Sequence, residues 1–173
     1  MTIVRALAVL SLMAVAGPSL AAVALPLSVE ELARGSDAVV RGKVAKTTCR
    51  WSSDGRRILT YAEVDTGSVW RGSAPARATV VVPGGEIGDI GQRVDGAPTF
   101  TQGEEVVLFL GKTGDSAYHV RGLAQGKFSV GQGTASPAFG GTAFVRGKAL
   151  AAGERRAEAM PVEELERRVR AAK

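Results

Sequence analysis

The chain has no Asn, a single Cys (Cys49), a single His (His119), and only two Trp, two Tyr and five Phe among its 173 residues. Without Asn there is no acceptor for N-glycosylation. One Cys rules out an intramolecular disulfide and any CxxC pair, so the fold must hold by packing. One His and one Cys cannot make a zinc ligand set, and a Cys–His nucleophile would have no third member to orient it. A Ser hydrolase fails on the same shortage, and no GxSxG turn is present. The glycines of GGEIGDIG have neither the spacing nor the Gly-Lys-Ser/Thr ending of a phosphate loop. No cofactor is expected.

No uncharged apolar run reaches the roughly 20 residues that span a bilayer. The longest follows Arg5, from Ala6 to Ala16. It is closed by Gly17-Pro18 and by small residues around Ala21 and Ala24, which is the pattern of a secretory signal peptide cleaved near residues 21–24. The expected product is exported to the periplasm or the medium and does not span the membrane once the signal is removed. Roughly 150 residues then remain, enough for one domain with a modest core. Basic residues outnumber acidic ones by 22 to 17, but they are scattered and not interleaved with aromatics. Nucleic acid is therefore not an expected partner, and an extracytoplasmic protein or an envelope component is.

What is present reads as strands between two helices. LSVEELARG places Ser28 three residues before Glu31, a capping box, with Gly35 as a stop. DAVVRGKVAKTTCRW and RRILTYAEVDTGSVWRG flank the turn residues SSDG and predict a long hairpin around Asp54-Gly55. ATVVVP is a short strand ended by Pro83 and Gly84-Gly85. A Gly-rich loop over residues 84–103 follows. EEVVLFL is a buried strand, and AYHVRGLAQG and KFSVG are two shorter ones. The closing PVEELERRVRAA is an amphipathic helix with Val162, Leu165, Val169 and Ala172 as its apolar stripe, expected to dock on the domain's own surface. The expected fold is mainly β: a small antiparallel OB-like barrel with a short N-terminal helix and a C-terminal helix. Its parts are a signal peptide over residues 1–24, the barrel domain over 25–130, a Gly/Ala-rich, partly ordered segment over 131–160, and the helix over 161–173. Phe139 and Phe144 imply that part of the Gly/Ala-rich segment packs.

The blocks LSVEELARGSDAVVRGKV, WSSDGRRI, PGGEIGDIGQRVDGAPTFTQGEEVVLFLG and GLAQGKFSV resemble a group of uncharacterised exported bacterial proteins. The resemblance covers most of residues 27–130 and implies a small secreted β domain without supplying an activity. SDAVVRGKV is also similar to the opening strand of OB barrels of the netrin and metalloprotease-inhibitor type, a likeness of fold only. Inhibitors of that type act through a Cys at the mature N-terminus, and none stands here.

The strongest chemical signature is Asp65-Thr66-Gly67-Ser68, which matches the catalytic stretch of aspartic proteases. Those enzymes need two carboxylates sharing one proton, so a single Asp65 would serve only in a homodimer. The alternation of Tyr61, Glu63, Asp65 and Gly67 against Ala62, Val64, Thr66 and Ser68 predicts instead a continuous strand with no catalytic residue. In the Gly-rich loop, Glu86, Asp89 and Asp95 are oxygen donors suited to calcium, although their spacing is that of no EF-hand, and no metal is the leading expectation. A loop folded over the barrel would use Ile87, Ile90, Val94 and Phe100 as anchors. Long ordered loops in compact domains are often binding elements, which makes Glu86, Ile87, Asp89, Ile90 and Arg93 the candidate partner-binding residues. Trp51, beside its turn, is a further contact candidate, whereas Trp70 reads equally well as core. The leading expectation is a non-enzymatic binding module, with an inhibitor or companion of a secreted protease, or a homodimeric aspartic protease using Asp65, as the alternatives.

Overall fold

The computed structural model describes residues 23–114, 116–139, 143–144 and 158–173. Residues 1–22 of the expected signal peptide, and residues 140–142 and 145–157 of the Gly/Ala-rich segment, lie outside them. In chain order the elements are β1 (Val23–Ala24), α1 (Val29–Arg34), β2 (Ala38–Trp51), β3 (Ile58–Gly72), β4 (Arg77–Pro83), β5 (Gly85–Ile87) and β6 (Ile90–Gln92). There follow β7 (Glu105–Thr113), β8 (Ala117–Val120), a 3-10 turn (Leu123–Gly126), β9 (Lys127–Gly131), β10 (Thr134–Pro137), β11 (Ala143–Phe144), β12 (Met160–Pro161) and α2 (Val162–Ala171).

Eight strands form one sheet in the order β12-β10-β9-β7-β2-β3-β4-β8, and β8 also pairs with β7. Five strands, β7-β2-β3-β4-β8, thus close into a ring. The expected all-antiparallel arrangement is corrected here: β4 and β8 run parallel and meet through Val80 and Tyr118. The reason is arithmetic, because strand directions cannot alternate all the way round a ring with an odd number of members. β9, β10 and β12 extend the sheet beyond the ring, so chain from past residue 130 contributes strands. The small β1–β11 and β5–β6 pairs stand apart from it.

Two cores follow from the two faces of β2 and β7. Val40, Val44, Ala62, Val64, Val80, Val106, Leu108 and Leu110 fill the ring. Val39, Trp70, Val107, Phe109 and Phe128 face outward and are covered by both helices. Because β7 is buried on both faces, it reads as a continuous apolar run instead of an alternating one. Trp70 is core, 4 % exposed, with its indole N–H donating to Ser68 Oγ at 3.1 Å.

The capping box of α1 is formed as expected: Ser28 Oγ accepts from the Glu31 N–H, and the Glu31 carboxylate accepts from the Ser28 N–H at 2.7 Å. Val29, Leu32 and Ala33 are its buried face. α2 starts one residue past Pro161 and buries Val162, Leu165 and Val169 against the same core. A forked pair ties the helices together, Arg168 Nε and Nη2 donating to the two Glu30 oxygens at 2.7 and 2.9 Å. That hydrogen bonding holds the Glu30 carboxyl below its ordinary range against the opposing effect of burial.

Candidate binding cleft

The β2–β3 hairpin overhangs the end of the ring, and its turn is organised by short polar side chains: Ser52 Oγ donates to Asp54, and the Arg57 N–H donates back to Ser52 Oγ. Ile58, the first residue of β3, is a docking point for the Gly-rich loop. Its carbonyl accepts from the Gly84 N–H at 2.8 Å, and its own N–H donates to Gln92 Oε1 at 2.6 Å. Thr60 Oγ1 donates to the Gly84 carbonyl at 2.6 Å and lies 3.4 Å from Cys49 Sγ. The loop passes so close that a Cβ on Gly85, where φ is +134°, would come within 2.6 Å of both Cys49 Sγ and Thr60 Oγ1. Only glycine fits there.

From this base β5 and β6 rise as a hairpin with Gly88-Asp89 as its two-residue turn, Gly88 supplying the positive φ of 57°. Residues 93–103 then return to the ring, where the Gly103 N–H donates to the Val44 carbonyl at 2.8 Å. Their clamp is Lys127, whose side chain is only 4 % exposed. Its ammonium donates to the Thr99 carbonyl and to Glu104 Oε1, both at 2.7 Å, and lies 5.1 Å from the centre of the Phe100 ring. Ser129 Oγ donates to the same Glu104 oxygen at 2.6 Å. Burial pushes the Glu104 carboxyl up, but the hydrogen bonds from Lys127 and Ser129 and the Lys127 charge outweigh it, and the group ends below the ordinary glutamate range. Neither Lys127 nor Glu104 stood out as a site residue in the sequence. The only local signal was a lysine opening the apolar strand KFSV.

Between the β2 edge, the β5–β6 hairpin and the returning loop lies an open cleft of about 700 Å³, lined by Thr47, Cys49, Thr60, Glu86, Arg93 and Phe100 among others. Of the partner-binding candidates, Glu86, Asp89, Ile90 and Arg93 are exposed and Ile87 is half-buried. Ile90 was expected as a buried anchor and is instead 55 % exposed. The hairpin is fastened at its Gly84, Gly85 and Gln92 end, so the turn end that carries Ile90 projects away from the core. Val94 and Phe100 are half-buried, and Phe100 packs on the ring core. Trp51, at 44 % exposure, is cross-strand from Ile58 and therefore stands at the same end of the molecule.

The other expected chemistries are placed elsewhere. Asp65 sits in the middle of β3, 53 % exposed, and accepts from Arg77 Nε at 2.7 Å, while Glu63 approaches the same guanidinium at 3.8 Å. Gly67 is the extra residue between the pairs Arg41–Ser68 and Gly42–Thr66, so the Asp-Thr-Gly-Ser stretch is a bulged strand and not a tight loop. A shallow groove of about 650 Å³ runs beside it past Arg41, Lys43 and Glu105. Glu86, Asp89 and Asp95 are not gathered into one ligand set: Asp95 lies 3.7 Å from Arg93, and among the described residues no three acidic, His or Cys side chains stand together to hold a metal ion. Among the described residues no helix is long and apolar enough to cross a membrane. Comparison with family models, curated proteins and solved structures returns no match.

Proposed function

We propose that this is an exported, non-enzymatic interaction module of the small β-domain type, and that it binds a partner protein in the cleft under the β5–β6 hairpin. The frame is OB-like in our reading: the five-strand ring and its return connections support that description, and the cleft opens at one end of the ring. The observation that carries the binding reading is the exposure of Ile90 and Trp51 on the two strands that border this cleft, next to its lining residues Gly91 and Cys49. They are two of the four large apolar side chains exposed among the described residues. Exposed apolar groups clustered beside a concave, polar-rimmed surface are the mark of a contact site. The hydrogen bonds at Ile58, Thr60 and Lys127 hold that surface in place before any partner arrives, which lowers the ordering cost of binding. Asp65 is paired with Arg77 in a bulged strand and not set in a tight loop, which favours this reading over acid proteolysis.

The test is affinity capture on the immobilised protein from the exported fraction of the producing cells, beside Ile90→Asp, Trp51→Ala and Asp65→Asn. A saturable protein retained by the parent and by Asp65→Asn, and lost with the other two, is the expected result. Retention unaffected by both cleft variants refutes the reading. Pepstatin-sensitive cleavage of denatured casein that disappears in Asp65→Asn would establish the protease in its place.

A further inference from the structure

Resting on that cleft reading, we infer that the partner is engaged by strand addition: an extended, acidic polypeptide segment pairs with the free edge of β2 from Thr47 to Trp51. The Ser52 N–H donates to the Arg57 carbonyl at 2.7 Å. Counting back along the antiparallel pair, the hydrogen-bonded positions fall at Arg50–Leu59 and Thr48–Tyr61. The N–H and C=O groups of Thr47, Cys49 and Trp51 consequently point away from β3. On that side β7 pairs with β2 only from Ala38 to Lys43, Val44 bonds to Gly103 and Glu104, and the register then shifts at Ala45. No described residue satisfies the outward groups beyond that point.

This edge forms a wall of the cleft, since Thr47 and Cys49 line it. Thr47 to Trp51 spans about 13 Å at the rise of an extended chain, long enough to pair with about five residues of another strand. Alternating outward N–H and C=O groups recognise an extended backbone of any sequence, and flanking side chains then select among sequences.

Charge selects the occupant. Lys46 and Arg50 are exposed on the face of β2 opposite Thr47 and Cys49, and neither has a carboxylate within ion-pair distance among the described residues; Arg50 lies over the Tyr61 ring at 5.4 Å. A two-fold pairing of this edge with a second copy, centred on Cys49, would set Arg50 diagonal to Lys46 and Arg50 of the other chain, a repulsive arrangement. An acidic segment meets both cations favourably. Its alternate residues would face the apolar floor at Val82, Ala97 and Phe100.

The probe is the blocked peptide acetyl-Glu-Val-Glu-Val-Glu-amide, titrated to millimolar concentration into the isotope-labelled full chain and followed by amide chemical shift and hydrogen exchange. The expected result is shifts at the Thr47, Cys49 and Trp51 amides, with exchange slowed at least tenfold, while Thr48 and Arg50 change little because their N–H groups already bond to β3. The fully N-methylated peptide should bind at least tenfold more weakly. The double change Lys46→Glu, Arg50→Glu, confined to exposed side chains, should switch preference to the Lys-Val-Lys-Val-Lys peptide. No shift at millimolar peptide, or equal binding of the N-methylated form, overturns strand addition. Shifts confined to residues 86–91 overturn it too, yet leave the cleft as a binding site. Hairpin-dependent capture of a partner with the edge amides unprotected separates the two readings in the same way.

Discussion

Lys127→Met is the sharpest test of how the cleft is held. In the native protein the Lys127 side chain is 4 % exposed and that of Glu104 19 % exposed, so the pair is taken almost wholly out of water. Breaking a buried pair by removing one member costs about 3–5 kcal/mol, because a charge is left without compensation. Here the lower end applies, about 3 kcal/mol: Glu104 retains a donor in Ser129 Oγ and another in the Thr101 N–H, and it keeps some contact with water. For a protein of this length that corresponds to a fall in Tm of about 6–12 °C at neutral pH. The pH dependence adds a signature that loss of packing would not produce. The native Glu104 carboxyl is held below its unfolded value, so the stability it contributes is fully present above the ordinary glutamate range. That contribution is lost as the pH falls through the depressed folded value. In Lys127→Met burial acts without the ammonium, so the folded carboxyl takes up its proton more readily than in the parent and acid relieves the defect. Calorimetric melts of parent and variant should therefore converge between neutral pH and about pH 3. A variant melting within a degree or two of the parent at neutral pH, or a gap in Tm that is the same at both pH values, would refute the reasoning.

Gly85→Ala should cost about 1–3 kcal/mol, from strain at φ +134° and contact with Cys49 Sγ and Thr60 Oγ1, and should loosen the β5–β6 hairpin. Gly88→Ala, with open space around it and φ +57°, should cost about 1–2 kcal/mol, from the left-handed backbone alone; urea denaturation of the two variants compares them. Trp70→Ala should lose about 3–5 kcal/mol, while Trp51→Ala should change stability by less than about 1 kcal/mol and remove the more solvent-exposed indole emission. Arg168→Ala should lose about 1 kcal/mol by thermal melting, because its pair with Glu30 is 29 % and 35 % exposed and screened accordingly.

Where structure is decided by residues close in sequence, the reading was direct. Ser28 and Glu31 spell a capping box that is made, SSDG makes the turn between β2 and β3, and the stripe from Val162 to Ala172 docks where an amphipathic helix must. Ring closure was not legible in the same way. β4 and β8 each read as a strand, but their parallel contact at Val80 and Tyr118 depends on how many strands precede it, which no local period records. β9 is legible as KFSVG, but β10 is not: the short stretch TASP carries little alternation and is specified by its partner β9. The candidate site divided similarly. The loop was legible as a long Gly-rich insertion, and of its candidate contact residues Glu86, Asp89, Ile90 and Arg93 are exposed while Ile87 is half-buried. Ile90 was misjudged as an anchor because apolar character alone does not say which end of a hairpin is fastened.

The residues that look most like chemistry also meet backbone demands. Asp-Thr-Gly-Ser carries an extra residue that a bulged strand must accommodate, and the Gly84-Gly85 pair lets a loop pass over Cys49 without room for a Cβ. The residues that hold the site in shape, Lys127, Glu104, Gln92 and Thr60, are each unremarkable in isolation and act through partners 23 or more positions away. Such a cleft is fastened at its base and more open at its rim: the Ile58, Thr60 and Lys127 contacts fix its walls, while Ile90 and Trp51 are 55 % and 44 % exposed and the outer edge of β2 from Thr47 to Trp51 pairs with no described strand. A surface with that distribution of commitments can accept a partner without first breaking structure, so it favours recognition by a preformed site over folding on contact.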